Sequence, residues 1–137
     1  MAERKRVDPA FHPKDLDRLI TDFTERVLEV VRALAVSSDG VPLAPSDQIQ
    51  SDDVAKLSAI TSGLIGLARG AVEVSDGGAF TQALVTMKQG TLVIMAINDG
   101  ASLAVLTTAA ADLDEVAYDM TILVEQAGTI VTSPRTR

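Results

Sequence analysis

The sequence predicts an α+β fold, an α/β sandwich: one five-stranded antiparallel sheet with one helix on one face and two on the other, in the order α-β-β-α-β-β-β-α. Three observations carry this. Helical apolar periodicity appears near the start, in the middle and near the end of the chain. The β-like runs between them are joined by connections short enough to make neighbours antiparallel. One run, Leu92 to Ile97, is apolar at every position and therefore needs cover on both faces.

The chain has 137 residues, the size of one domain. Residues 1–13 hold Asp8-Pro9 and His12-Pro13 in a charged stretch and read as a flexible arm. The domain proper is expected over residues 14–128, followed by a flexible tail at 129–137.

From Lys14 to about Val31, the residues Leu16, Leu19, Ile20, Phe23, Val27 and Val30 recur at three- and four-residue spacing, which predicts an amphipathic first helix. Two short strands follow, Ala33 to Ser38 and Val41 to Ser46, joined by Asp39-Gly40, a dipeptide suited to a type I′ hairpin. Pro42 and Pro45 cannot donate ladder hydrogen bonds, so the second strand belongs at a sheet edge.

A second helix is predicted from Ser51-Asp52-Asp53, which offers caps and negative charge for the helix dipole, to about Val74. Asp76-Gly77-Gly78 stops it. Three strands come next, Phe80 to Lys88, Thr91 to Asn98 and Ala101 to Thr107, with turns at Gln89-Gly90 and Asp99-Gly100. A third helix spans about Asp112 to Ala127, capped by Asp112, with Leu113, Val116, Met120, Leu123, Val124 and Ala127 on one stripe.

The second helix is apolar over too much of its circumference. Val54, Leu57, Ile60, Leu64, Ile65, Leu67, Ala68, Ala71 and Val72 fill about half of it, enough to cover the sheet. A further stripe of Ala59, Gly63, Gly66 and Gly70 widens the non-polar arc to roughly 260°. Each mid-helix glycine costs about 0.8–1 kcal/mol relative to alanine, so three of them imply a compensating close approach. Either the helix lies close on its own sheet, or another copy's helix packs there. The run Phe80 to Lys88, with Phe80 and Leu84, has only a terminal lysine to guard it as an edge, and pairing across a homodimer removes that liability.

Several functions are disfavoured by composition. The net charge of −7 and the absence of a basic run interleaved with aromatics argue against nucleic acid. The absence of cysteine removes thiolate nucleophiles, disulfides and the usual structural zinc sites. The charged start, Met1 to Arg6, is not a secretory leader, and no segment reads as the roughly 18-residue apolar run of a membrane span. A cytoplasmic protein without a transmembrane segment is the expectation.

The Ala35-Val36-Ser37-Ser38-Asp39-Gly40 hairpin, the Leu67-Ala68-Arg69-Gly70-Ala71 helix segment and the Asp99-Gly100-Ala101-Ser102-Leu103-Ala104-Val105-Leu106 turn-strand together resemble a bacterial roadblock/dynein-light-chain domain. The resemblance covers about Leu16 to Ala127. It is nearest to the single-domain actinomycete-type proteins whose genes accompany a sensor kinase and a Ras-like GTPase. It implies a roadblock/profilin-like fold that dimerises through the second helix and third strand. It also implies a non-catalytic partner that binds and regulates or scaffolds a small Ras-like GTPase, contributing no catalytic arginine. The extended C-terminal helix with which some relatives affect nucleotide exchange is not evident here.

No residue set points to chemistry. His12, the only histidine, has no second ligand or triad partner. Asp112, Glu115 and Asp119 share one side of the third helix, but capping and a solvated face explain them better than a cation site. Asp76-Gly77-Gly78 lacks a phosphate-loop pattern, and Ser37 and Ser38 lack a base. Tyr118 and Ile122 are expected as an exposed apolar pair. Arg69 falls in a narrow polar sector with Ser58, Ser62 and Glu73 and is the candidate GTPase contact, with a rim salt bridge as its alternative role. No metal, cofactor or catalytic residue is assigned. The competing function is a small-molecule sensor module, which needs a pocket with polar anchors; the interior positions assigned from sequence are Val, Leu, Ile, Ala and Met throughout.

Overall fold

A computed structural model describes residues 13–45 and 50–131. The elements run α1 (Pro13–Arg26), β1 (Val30–Ser37), β2 (Pro42–Pro45), α2 (Ser51–Ser75), β3 (Gln82–Met87), β4 (Gly90–Asn98), β5 (Ala101–Thr108) and α3 (Leu113–Gly128). All pairings are antiparallel, and the sheet order is β2-β1-β5-β4-β3. The proline-bearing β2 is thus an edge, as its missing donors require. The arm, with His12, and the tail from residue 132 lie outside the described residues.

Alternation along the central strands sorts the core into two layers. Val93 and Met95 of β4 join Leu103, Val105, Ala33 and Ala35 under α1 and α3, where Leu16, Ile20, Phe23, Val116, Met120 and Leu123 meet them. Leu92 and Ile94 join Leu34, Val36 and Ala104 on the other face, under Leu57 and Ile65 of α2. The uniformly apolar β4 is covered on both sides.

Several local features differ from the sequence reading. The first helix ends at Arg26 and Val30 opens β1, because the chain reverses at Leu28-Glu29 and Glu29 is tied to β5: Thr108 donates from N to Glu29 O (2.9 Å) and from Oγ1 to Glu29 Oε1 (2.7 Å). Val27 and Val30 fit helical spacing, but the β-branched pair Val30-Val31 fits a strand equally well.

Two of the hairpin turns also differ. At the first, only Gly40 has positive φ (+89°), so the turn is not type I′. Gly40 N donates to Ser37 O (3.0 Å) and Ser37 N to Val41 O (2.8 Å), a three-residue loop in which Ser37 Oγ also reaches Asp39 Oδ1 (2.5 Å). Between β3 and β4 the turn residues are Lys88-Gln89, while Gly90 already pairs with Met87 and Thr108. A Cβ on Gly90 would run into the Thr107 carbonyl oxygen, so close backbone approach, not turn geometry, explains this glycine. The third turn falls at Asp99-Gly100 as expected; neither residue has positive φ, and Gly100 N donates to Asn98 Oδ1 (2.8 Å).

Helix α2 has Gln50 at its N-cap without a side-chain cap; Asp52 and Asp53 act only through the first-turn dipole. It ends at Asp76, left-handed at φ 55°. Asp112 caps α3 as expected, its Oδ1 accepting from Asp114 N (3.0 Å) and Glu115 N (3.4 Å). The chain beyond Gly128 remains part of the fold through Val131: Ile130 and Val131 pack on the α1/α3 core, and Asn98 Nδ2 donates to Val131 O at 2.9 Å.

The interior is also more polar than the sequence reading assigned. Thr24, Ser58, Thr61, Thr91, Ser102 and Thr107 are all buried. Thr24 Oγ1 donates to Ile20 O, whereas the hydroxyls of Ser58 and Thr61 have no partner.

Gly90→Ala is expected to destabilise the fold by about 1–3 kcal/mol, the usual cost of overpacking a rigid site. Urea denaturation measures it; an unchanged midpoint would contradict the role given to Gly90.

Candidate protein interaction surface

Helix α2 is apolar on both its sheet-facing and its outward side. Its sheet-facing side buries Leu57, Ser58, Thr61 and Ile65, and half-buries Val54, Ser62, Leu64, Ala68 and Val72. Its outward side presents Ala59, Ile60, Gly63, Gly66, Leu67, Gly70, Ala71 and Val74, all exposed. Leu67 is 74% and Val74 91% solvent-accessible, although both are apolar. Two hydroxyls, Ser58 and Thr61, are buried beside Leu57 and Ile65 while Ile60, Leu67 and Val74 stay outside, an arrangement that solvent disfavours.

The predicted small-residue stripe, Ala59, Gly63, Gly66 and Gly70, lies on that outward side. Ile60, Leu67 and Ala71, which the sequence reading placed toward the sheet, belong to it as well. The inward hydroxyls are why: polar residues at 58 and 61 displaced the inferred sheet face, and a non-polar arc this wide carries little directional signal.

The two explanations of the glycines now separate. A Cβ built on Gly63, Gly66 or Gly70 meets nothing within 4 Å. None of the three is needed for packing on the helix's own sheet, so the reading that they let α2 lie close to it is overturned. By length and composition α2, with 25 residues, is also apolar enough to cross a membrane, which the sequence reading expected of no segment. In the fold it is packed on the sheet through Leu57 and Ile65.

Strand β3 is the other edge of the sheet, and it lacks proline. Leu84 and Met87 on it are 46% and 47% accessible. Phe80, just before β3, is half-buried against the α2 side. Leu84 pairs with Val93 and so faces the α1/α3 side. The fold therefore brings the glycine stripe together on one face, sets Phe80 beside that helix, and puts Leu84 on the opposite side of the sheet.

Arg69 lies on the flank of α2, where its Nη2 donates to Asp99 O at 3.3 Å. With Val72, Glu73, Ala79, Phe80 and Asn98 it lines an open groove of about 490 Å³. Ser58, assigned to the same polar sector, is buried instead. On the other side of the molecule, α1 and α3 enclose an open groove of about 690 Å³ rimmed by Asp15, Asp22 and Glu125. Both grooves are open and charged at the rim. Tyr118 and Ile122 are exposed on α3, as expected.

The comparisons with known proteins agree with this geometry. Residues 16–107 match the family model of the Roadblock/LC7 domain. A solved Roadblock/LC7 domain from Streptomyces avermitilis is 38% identical, over 81% of this chain and 96% of that one, with a TM-score of 0.68. A second from the same organism is 29% identical over 81% and 92%, with a TM-score of 0.77. MglB of Myxococcus xanthus shares the fold at 14% identity, with a TM-score of 0.77 over 83% of this chain and 92% of that one. No curated protein matches the chain.

Because the glycines face open space, Gly63→Ala and Gly70→Ala should each stabilise the unassociated chain by about 0.8–1 kcal/mol, the helix-propensity difference. Urea unfolding of dilute protein tests this. A loss of stability on dilution-independent unfolding would mean that the glycines serve packing within one chain.

Proposed function

The chain belongs to the Roadblock/LC7 family, and on that footing we propose that it is a non-catalytic, cytoplasmic homodimer that binds a small Ras-like GTPase and regulates or scaffolds it. The observation that carries the dimer is the outward face of α2: aliphatic side chains and three unencumbered glycines on the outside of a helix that buries Ser58 and Thr61. A second copy of the same helix is the natural cover. The interface of a two-fold dimer is self-complementary, and a flat, small-residue stripe is complementary to itself. The free edge of β3 is then available to pair with its counterpart, closing an unguarded edge.

The GTPase is supported by the family resemblance. Arg69, exposed on the flank of α2 beside the β4–β5 turn, is the proposed contact. It sits outside the glycine stripe, so dimerisation leaves it accessible. Its guanidinium, held toward Asp99, offers a fixed donor array to a carboxylate on a partner surface.

The test is calorimetric titration of the chain with a Ras-like GTPase from the same organism, loaded with GDP or with a non-hydrolysable GTP analogue. Binding that depends on the nucleotide, and that Arg69→Glu weakens severalfold with no change in dimer mass, is the expected result. Absence of binding in both nucleotide states would reject the GTPase reading while leaving the dimer standing.

A further inference from the structure

Helices α1 and α3 lie side by side on the face of the sheet away from α2 and run antiparallel. The start of α1 lies beside the end of α3, where Asp15, Leu19 and Asp22 meet Ile122, Glu125 and Ile130 across the larger groove. The end of α1 lies beside the start of α3, where the stretch Arg26 to Glu29 shares a second open groove with Asp112, Glu115 and Asp119. Both grooves follow the seam between the same two helices, so they form the ends of one valley. Its length follows from α3, whose 16 residues rise about 24 Å.

Seven carboxylates and two guanidiniums, those of Arg18 and Arg26, line the two grooves, so the valley is strongly acidic. Three of the carboxylates are committed. Asp15 takes the Arg18 guanidinium at 3.5 Å, Glu29 accepts from Thr108 Oγ1, and Asp112 caps α3. Asp22, Glu115, Asp119 and Glu125 are left without an ion pair among the described residues, and Arg26 alone cannot balance four of them. Between these rims lie Leu19, Val27 and Ile130, half-buried on the α1/α3 core, and Ile122, 41% accessible. An apolar floor between carboxylate rims, extended along two helices, complements an amphipathic helix whose apolar stripe is bordered by lysine or arginine. Other occupants fit less well. The carboxylates repel the phosphates of nucleic acid and of anionic lipid, and an extended strand finds no edge to join, because the valley lies on the face of the sheet.

We propose that the valley between α1 and α3 is the docking site for a basic amphipathic helix of a partner protein. The apolar stripe of that helix rests on Leu19, Val27, Ile122 and Ile130. Its marginal cations pair with Asp22 and Glu125 at one end and with Glu115 and Asp119 at the other. The valley lies across the sheet from α2, so a partner held here is additional to anything bound on the α2 side. The inference does not depend on the dimer or on the GTPase.

The probe is a peptide of about 18 residues, or about five turns of helix, with leucine on one face and lysine on the rest. Its controls are the same composition in scrambled order and the same order with glutamate for lysine. Titrated into the full, isotopically labelled chain, the probe should shift the amide resonances of Leu19, Asp22, Asp119 and Ile122 and saturate below about 1 mM. It should also change the fluorescence of Tyr118, the only tyrosine in a chain without tryptophan, which shares a shallow groove with Glu115 and Asp119. Asp22→Lys/Glu125→Lys and Glu115→Lys/Asp119→Lys, at opposite ends of the valley, should each weaken binding by about tenfold or more, whereas Asp53→Lys/Glu73→Lys, the same charge change on α2, should alter it by less than about twofold. If one of the end variants fails to fold, the other decides. The proposal is overturned by equal binding of either control peptide, by shifts confined to α2, by an equal loss in the α2 variant, by a folded end variant that binds like the wild type, or by the absence of saturable binding.

Discussion

Strand β4 carries large apolar side chains on both of its faces, and the rest of the architecture answers that constraint. Val93 and Met95 on one side and Leu92 and Ile94 on the other cannot be left to solvent, so helices must cover both. Two helices share the first side. On the second side α2 works alone, on a stripe only wide enough for Leu57, Ile65 and their half-buried neighbours. Within that stripe sit Ser58 and Thr61, whose hydroxyls have no hydrogen-bond partner. A buried unsatisfied hydroxyl costs on the order of 1–3 kcal/mol. With three mid-helix glycines besides, α2 is poorly optimised for a lone chain, and in the proposed dimer burial of Ile60, Leu67 and Val74 offsets that deficit.

The two edges of the sheet reinforce this asymmetry. β2 is blocked by prolines, so sheet growth there is prevented by backbone chemistry. β3 has no such guard, and it lies on the side toward which Phe80 and the flank of α2 gather. In the proposed dimer, association is thereby directed to one edge and one face. The acidic α1/α3 groove lies across the sheet from it, so the two surfaces differ in chemistry and can be occupied independently.

Much of this was legible in the sequence, for identifiable reasons. Strand-scale features were readable because β-branched runs, Pro42 and Pro45 and the uninterrupted apolar stretch of β4 have few alternative readings. The Asp112 cap was readable because a short carboxylate before a helical stripe satisfies free amides. The rotation of α2 was not, since an apolar arc of roughly 260° leaves almost no moment to orient it; its outward glycines were nonetheless identified because glycine is costly there whatever the rotation. Two hairpin turns were misread for another reason: Asp39-Gly40 closes a three-residue loop rather than a type I′ turn, and Gly90 serves backbone contact, so the β3–β4 turn lies at Lys88-Gln89; the Asp99-Gly100 turn falls where the sequence puts it. The end of α1 depended on Glu29 being tied to Thr108, a contact 79 residues apart that no local pattern contains.

The central claim is that the outward face of α2 is a contact surface between two copies. Light scattering coupled to size exclusion tests it on the wild-type chain and on Gly66→Glu, which sets a charge in that face where the backbone has open space, with circular dichroism to confirm that both are folded. The account predicts a dimeric wild type and a folded monomeric variant. A wild type that is monomeric, or a variant that remains dimeric, would contradict it.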